Sequence, residues 1–459
     1  MHSISRRQAL GAITGAAMTG AISIADERLS IRLATFRTEV TVPTGHPLMG
    51  GGIAPAKRVE DPLFALGWVL LGAGKPIVYV AVDWCEIRND AYDRWRQVIA
   101  DAVGTDRVRV MVSALHQHDA PISDLAAQKL LEKYGAKGAI CNLEFHELAV
   151  QRVAKAAKKS LESATSVTHI GTGQAKVEKV ASNRRFVDET GKVRYDRMSR
   201  ATDAKIRAAE EGTIDPFIKT MTFWSGETAI VTMNSYATHP MSYYGGGEVS
   251  TDFVGMARKR REAETPKTMQ MYMSGCSGNV TAGKYNDGSR DNRSVLADRI
   301  HQAMKTASTS TKKHTIEKAS FRSVPLQLAA RTSTGFGKTE LLYRVRNDNR
   351  PFGQCLAALG FSWLQRVDSG QPIDIPVIDF GSAQIAVLPA ESYVEYQLFA
   401  QSVRPDTFTM IAGYGECGPG YIPIERAWKE NDGNLHDWCW VDPGSEARMK
   451  EAITRALRG

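Results

Sequence analysis

The strongest constraint on what this chain can fold into is the grouping of its apolar residues. Short β-rich runs alternate with stretches of helical periodicity along its length, and no long linker separates them. The strand-like runs are Ile31 to Val42, Trp68 to Leu71, Pro76 to Val82, Arg107 to Val112, Val167 to Val180, Phe217 to Trp224 and Thr228 to Ser235. Later ones are Lys318 to Leu328, Ile373 to Phe380, Gln384 to Leu388 and Thr407 to Ala412. Helices are expected over Asp90 to Val103, Leu143 to Leu161, Ser294 to Thr306 and Tyr393 to Ser402. Interleaving of this kind specifies an α/β fold with mixed β-sheets and flanking helices. No internal repeat is visible. The charged stretch Lys192 to Gly212 reads as a surface excursion, and the polar stretch Thr306 to His314 as the best internal boundary, near residues 306–316. The remainder reads as one compact unit, and 459 residues suffice to bury a large core.

The N-terminus carries a separate signal. Ser5-Arg6-Arg7-Gln8-Ala9-Leu10 has the pattern of a twin-arginine export signal, and a weakly apolar stretch, Ala9 to Ile24, follows it. Ser23-Ile24-Ala25 offers small residues for cleavage after Ala25, so residues 1–25 are expected to leave a mature chain of 26–459 that is periplasmic or secreted. The mature chain has no apolar run of eighteen or more residues, so no transmembrane segment is expected. The net charge of +8 leaves an anionic substrate or a peripheral membrane contact open. Basic runs such as Arg258-Lys259-Arg260-Arg261 and Lys155…Lys158-Lys159 read as solvated helix faces. Without interleaved aromatics they argue against nucleic acid as a partner.

Several motifs fail on inspection. Gly335-Phe336-Gly337-Lys338-Thr339 lacks the first glycine of a phosphate-binding loop, because Thr332 stands there. His146-Glu147 lacks the second histidine of a zinc-protease helix, whose place Val150 takes. Gly275-Cys276-Ser277-Gly278 is one residue short of a nucleophile elbow. None of the six cysteines forms a C-x-x-C, and Cys417–Cys439 is the one pairing worth considering as a late disulfide.

Two histidine segments survive. Ser113-Ala114-Leu115-His116-Gln117-His118-Asp119-Ala120-Pro121 ends an alternating strand, where residues i and i+2 share a face, so His116 and His118 are expected to converge. Tyr236-Ala237-Thr238-His239-Pro240 repeats the arrangement, a histidine at a strand end stopped by proline. Ends of strands are where open α/β sheets place their ligands, and histidine is the commonest metal ligand.

Five segments, in order, resemble the neutral/alkaline (non-lysosomal) ceramidase family: Ser113 to Pro121, Ala237 to Ser242, Gly278-Asn279-Val280-Thr281, Leu388-Pro389-Ala390-Glu391 and Gly420-Tyr421-Ile422-Pro423. They answer to that family's S-A-x-H-T-H-S-x-P, A-T-H-G-T-S-M, G-D-V-S-P-N, P-x-E and Y-[IV]-x-T segments. The resemblance implies an exported zinc-dependent hydrolase with the metal held by His116, His239, Glu391 and Tyr421. It implies His118 and Arg184 as catalytic helpers, Arg184 being chosen over Arg185 because it directly follows Asn183. Imidazole, carboxylate and phenolate donors suit zinc, and the expected reaction is cleavage of an N-acyl, ceramide-like amide by activated water. An ester or carbohydrate substrate on the same fold is the alternative. The expected partner is therefore a small-molecule or lipid-like substrate. Asn279, Thr281 and Ala282 depart from G-D-V-S-P-N, which leaves open whether that loop holds a second cation or has an ordering role. The chain ends at Gly459 without the family's C-terminal β-sandwich, which makes long-chain ceramide an expected poor substrate.

Overall fold

A computed structural model describes residues 30–459. The twin-arginine pattern and the cleavage site after Ala25 lie outside the described residues.

The fold is mixed α/β, and one arrangement of elements occurs three times. Each occurrence is an antiparallel set of three strands, a crossover helix, and a fourth strand parallel to the third. The first comprises strands Arg32–Glu39, Phe64–Leu71 and Ile77–Val82, helix Asn89–Val103 and strand Val110–Ala114. In the second these are His169–Lys176, Phe217–Ser225, Thr228–Tyr236, helix Asp252–Glu264 and strand Met269–Ser274. In the third they are Ser320–Leu326, Ile373–Asp379, Ala383–Val387, helix Val394–Val403 and strand Phe408–Ala412. Helices Leu143–Ser160, Arg290–Thr309 and Ser445–Arg458 follow in turn, each packing on the first strand and the crossover helix of its own unit. The repetition is one of topology. The connections between equivalent strands differ so much in length that no sequence period survives.

The three sheets enclose a shared apolar core. Leu66, Trp68 and Met111 of the first sheet meet Met221, Phe223 and Met271 of the second and Ile378, Ile385 and Met410 of the third. Phe223 lies 5.6 Å, ring centre to ring centre, from both Trp68 and Phe380. The parallel edge strands are joined at their C-terminal ends. Ala114 N–H donates to Tyr414 O (2.9 Å), Gly413 N–H to Ser274 O (2.8 Å) and Ser274 Oγ–H to Leu115 O (2.7 Å). One strand end from each unit therefore meets at a common point, and the loops beyond it face one another.

Several expectations from the sequence need correction. Arg107–Arg109 forms a short 3-10 turn, not strand, and the strand starts at Val110. The helix expected over Ser294 to Thr306 spans Arg290–Thr309, and Lys312–Thr315 pairs with His169–Thr172 as an extra edge of the second sheet. All six cysteines are free and buried, so Cys417 and Cys439 do not pair. Within Lys192 to Gly212, Arg197 is buried and donates to the carbonyls of Asn183 and Glu211, which ties the excursion to the body. Helix Pro351–Asp368 was not expected. It is buried on nearly every side, so it lacks the polar face that makes a helix readable.

The basic run at Arg258 is likewise not simply a solvated face. Lys259 is exposed, but Arg258 is buried and reaches Asp83 with two hydrogen bonds of 2.7 Å. This pair pins the second crossover helix to the end of strand Ile77–Val82. Arg258→Ala would leave Asp83 buried without its counter-charge, so unfolding free energy is expected to fall by about 3–5 kcal/mol. Denaturant titration checks this, and a loss below about 1 kcal/mol, the worth of a surface pair, would contradict it.

Candidate metal centre

His116, His239, Glu391, Tyr421, His118 and Arg184 meet at the junction of the three units. His116 lies two residues beyond the end of strand Val110–Ala114, with a φ of +69°. Its backbone N–H donates to Trp84 O at 2.9 Å, which fixes the turn. Strand alternation is therefore not what brings His116 and His118 together, because the strand has already ended. The left-handed turn does so, leaving the two rings 5.6 Å apart and nearly perpendicular. In the third unit Tyr414 occupies the equivalent place, two residues past its strand with a φ of +54°, and it stacks on His116 at 4.1 Å. Non-glycine residues held in this region are strained and persist where the surroundings demand them, often at functional sites.

His239 follows strand Thr228–Tyr236, and its backbone N–H donates to Val280 O. Glu391 follows strand Ala383–Val387 in the same way and forms a two-residue parallel ladder in which it stands opposite Tyr421. Gly278 allows this packing: a Cβ there would lie 2.1 Å from the Glu391 carbonyl oxygen. The neighbouring Asn279 has an ordering role. Its Oδ1 accepts from Val394 N–H at the start of helix Val394–Val403, and its Nδ2 donates to Glu395.

The donor atoms converge. Glu391 Oε2 lies 3.0 Å from His239 Nε2 and 3.3 Å from His116 Nε2. Both imidazoles are oriented from behind, His116 Nδ1 lying 3.0 Å from Cys85 O and His239 Nδ1 2.6 Å from Ser277 O. Donation from Nδ1–H to a carbonyl leaves each Nε2 lone pair facing Glu391. Donors about 2.0–2.1 Å from a tetrahedral divalent ion stand about 3.3 Å from one another, close to the spacing found here. His116, His239 and Glu391 are each almost fully buried, and His116 Nε2 has no hydrogen-bond partner, as expected of a side chain shaped for an ion. The arrangement fits a single metal ion.

Around these donors, Arg184 Nη1 donates to Tyr421 Oη at 2.7 Å and to Asn434 Oδ1 at 3.1 Å. Arg185 turns away, its guanidinium bonding Glu430. His118 sits against exposed Tyr244 at 4.7 Å, and its Nδ1 is buried without a partner. Burial, reinforced by His116 and His239, holds the His118 pKa well below the usual histidine value, so the ring is neutral. Burial also lowers that of His239, to about 4, with Arg184 adding to the effect. Glu391 resists burial: the two histidines beside it hold its carboxyl well below the usual range. The Tyr421 phenol is pushed up by burial, against the opposing pull of Arg184.

Sequence reasoning missed Glu86. It groups with His116 and Glu391 as a second potential metal-holding set beside that of His116, His118 and His239. No spacing rule marks it, since it lies in a two-residue strand, Glu86–Ile87, too short to show a pattern, and acidic residues are common in the chain. His146, from the failed protease motif, lies elsewhere, buried against Trp84 and Trp95.

No known family profile matches this chain, and no curated protein matches it by sequence. Solved structures do match it. One, described as a ceramidase complexed with C2, superposes with a TM-score of 0.67 at 14% identity, covering 94% of this chain and 75% of the other. A neutral ceramidase from Pseudomonas aeruginosa gives a TM-score of 0.65 at 15% identity, covering 94% and 74%. At this level of identity the likeness establishes the fold, and the chain has the fold of the neutral ceramidases.

Proposed function

We propose that this protein is a zinc-dependent hydrolase that cleaves N-acyl, ceramide-like amides. The observation that supports this most is the convergence of His116 Nε2, His239 Nε2 and Glu391 Oε2 on one buried point beside Tyr421. The two solved structures named above are described as ceramidases, which directs attention to amides. His116, His239, Glu391 and Tyr421 would hold the ion. Bound there, zinc supplies Lewis acidity, making hydroxide available near neutral pH and polarising the scissile carbonyl.

The chain's own groups do the rest. His118 is neutral and unbonded at Nδ1, so it takes a proton from the attacking water and returns it to the departing amine. Arg184 is a fixed buried cation, set to stabilise the oxyanion that develops on the carbonyl and to hold Tyr421 in place. Burial of the centre strengthens these interactions by excluding water. Tyr244, exposed and in edge contact with His118, marks the side from which substrate approaches.

Metal-replete protein screened against N-acyl amines, esters and glycosides is expected to hydrolyse the amides. Long-chain ceramide should be turned over less well than shorter N-acyl amines. Hydrolysis confined to esters or glycosides would replace the amide assignment while leaving the metal centre standing.

Export through the twin-arginine route belongs to the same proposal, on the pattern at Arg6-Arg7. Among the described residues no helix is long and apolar enough to cross a membrane. Arg6→Lys with Arg7→Lys is expected to leave precursor in the cytoplasm, and unaltered export of that variant would refute the route.

A further inference from the structure

Glu86 borders the candidate centre, yet the proposed chemistry gives it nothing to do. Its place in the fold is informative. Glu391 stands four residues past the end of Ala383–Val387, and Glu86 four past the end of Ile77–Val82, the equivalent strand of the first unit. His239 stands three past the equivalent strand of the second. In each unit, then, the loop leading to the crossover helix sends one ionisable side chain to the junction, and Glu86 is the first unit's contribution.

We propose that Glu86 is a positioning residue: its carboxylate, anchored by Arg88, sets the Nδ1 side of His116 so that Nε2 is aimed at Glu391 and the metal. The inference rests on the metal-binding reading above. Glu86 is fully buried, and its Oε1 lies 3.8 Å from His116 Nδ1 with no hydrogen-bond partner. At that distance the interaction is electrostatic and not a hydrogen bond. The hydrogen bond from His116 Nδ1 goes instead to the carbonyl of Cys85, the residue next to Glu86 in the chain. The loop thus offers the ring an acceptor and a negative charge together. Glu86 Oε1 lies nearest the Nδ1 side of the ring, at 3.8 Å, and Glu391 Oε2 nearest the Nε2 side, at 3.3 Å, so an ion held by Nε2 and Glu391 leaves Glu86 behind the ring.

The anchoring is rigid. Glu86 Oε2 accepts from Arg88 Nη1 at 2.6 Å, and Arg88 Nη2 donates to Gly418 O at 2.8 Å. The guanidinium also lies 4.7 Å from the centre of the Trp440 ring and 3.7 Å from Asp124 Oδ2. The competing explanation is that Glu86 serves only as a counter-ion for Arg88. In that case its charge matters for folding and not for the metal.

Zinc affinity decides between them, measured by competition with a chromophoric chelator on the purified protein. Glu86→Gln keeps the shape and an acceptor for Arg88 while removing the charge, and its zinc dissociation constant is expected to rise about 10–100-fold, the usual cost of losing such a partner. Glu86→Asp should recover part of the loss. In the cobalt-substituted protein the visible absorption bands should stay as in the wild type, since the ligands are unchanged. Wild-type zinc affinity in folded Glu86→Gln would overturn the proposal, and altered cobalt bands would overturn it by making Glu86 a ligand. If Glu86→Gln does not fold, the double variant Glu86→Met/Arg88→Met removes both members of the buried pair, an exchange that folds often tolerate. It should show the same loss of affinity, and unchanged affinity there would also overturn the proposal. Failure of the wild-type protein to bind zinc would sink the metal reading itself, a distinct outcome.

Discussion

His116→Ala is expected to take metal and hydrolysis away together, as is His239→Ala. Each removes one of two Nε2 donors within 3.3 Å of the Glu391 carboxylate, in a pocket too buried for water to replace the lost ligand freely. Without the ion, Glu391 would sit as an uncompensated buried charge beside one remaining imidazole. Turnover should fall more than about 10³-fold, on the order of 4 kcal/mol of transition-state stabilisation, and zinc content should fall well below one equivalent. Metal analysis and turnover on the same preparations check this. Full zinc content with lost activity in both variants would remove these histidines from the ligand set.

His118→Ala is expected to behave differently. The His118 ring lies 5.6 Å from that of His116 and 6.2 Å from that of His239, and it faces Tyr244 at the exposed side. As a proton carrier and not a ligand, its loss should leave zinc bound while turnover falls about 10²-fold or more. Zinc lost from His118→Ala but kept in His116→Ala would exchange the two roles. Full activity in both would mean that this loop does not enter the active site.

How far the site was readable from the sequence varied with the kind of signal. His116 and His239 were visible because histidine is scarce here and each stands just past an apolar run and ahead of a proline. The reason offered for His116 and His118 was partly mistaken, since a left-handed turn at His116 and not the alternation of a strand brings them together. Glu391 and Tyr421 became noticeable only through the order of segments shared with a family. Their pairing across a two-residue ladder depends on chain folding that no local pattern encodes. Glu86 was invisible because His116 comes beside it only once the crossover helix has returned the chain to the junction. The mixed α/β class followed from hydrophobic periodicity. The threefold recurrence of the units did not, because equivalent strands share topology and burial but not residues. Helix Pro351–Asp368 and the buried Arg258 were obscured for opposite reasons, one having no polar face and the other hiding its charge against Asp83.

The most direct test of the central claim is anomalous diffraction at the zinc edge from crystals of the mature protein grown with zinc. A single strong peak per chain is expected between His116 Nε2, His239 Nε2 and Glu391 Oε2, within bonding distance of each and beside Tyr421 Oη. A fully zinc-loaded protein with no peak at that point, or with its peak elsewhere in the fold, would contradict the account.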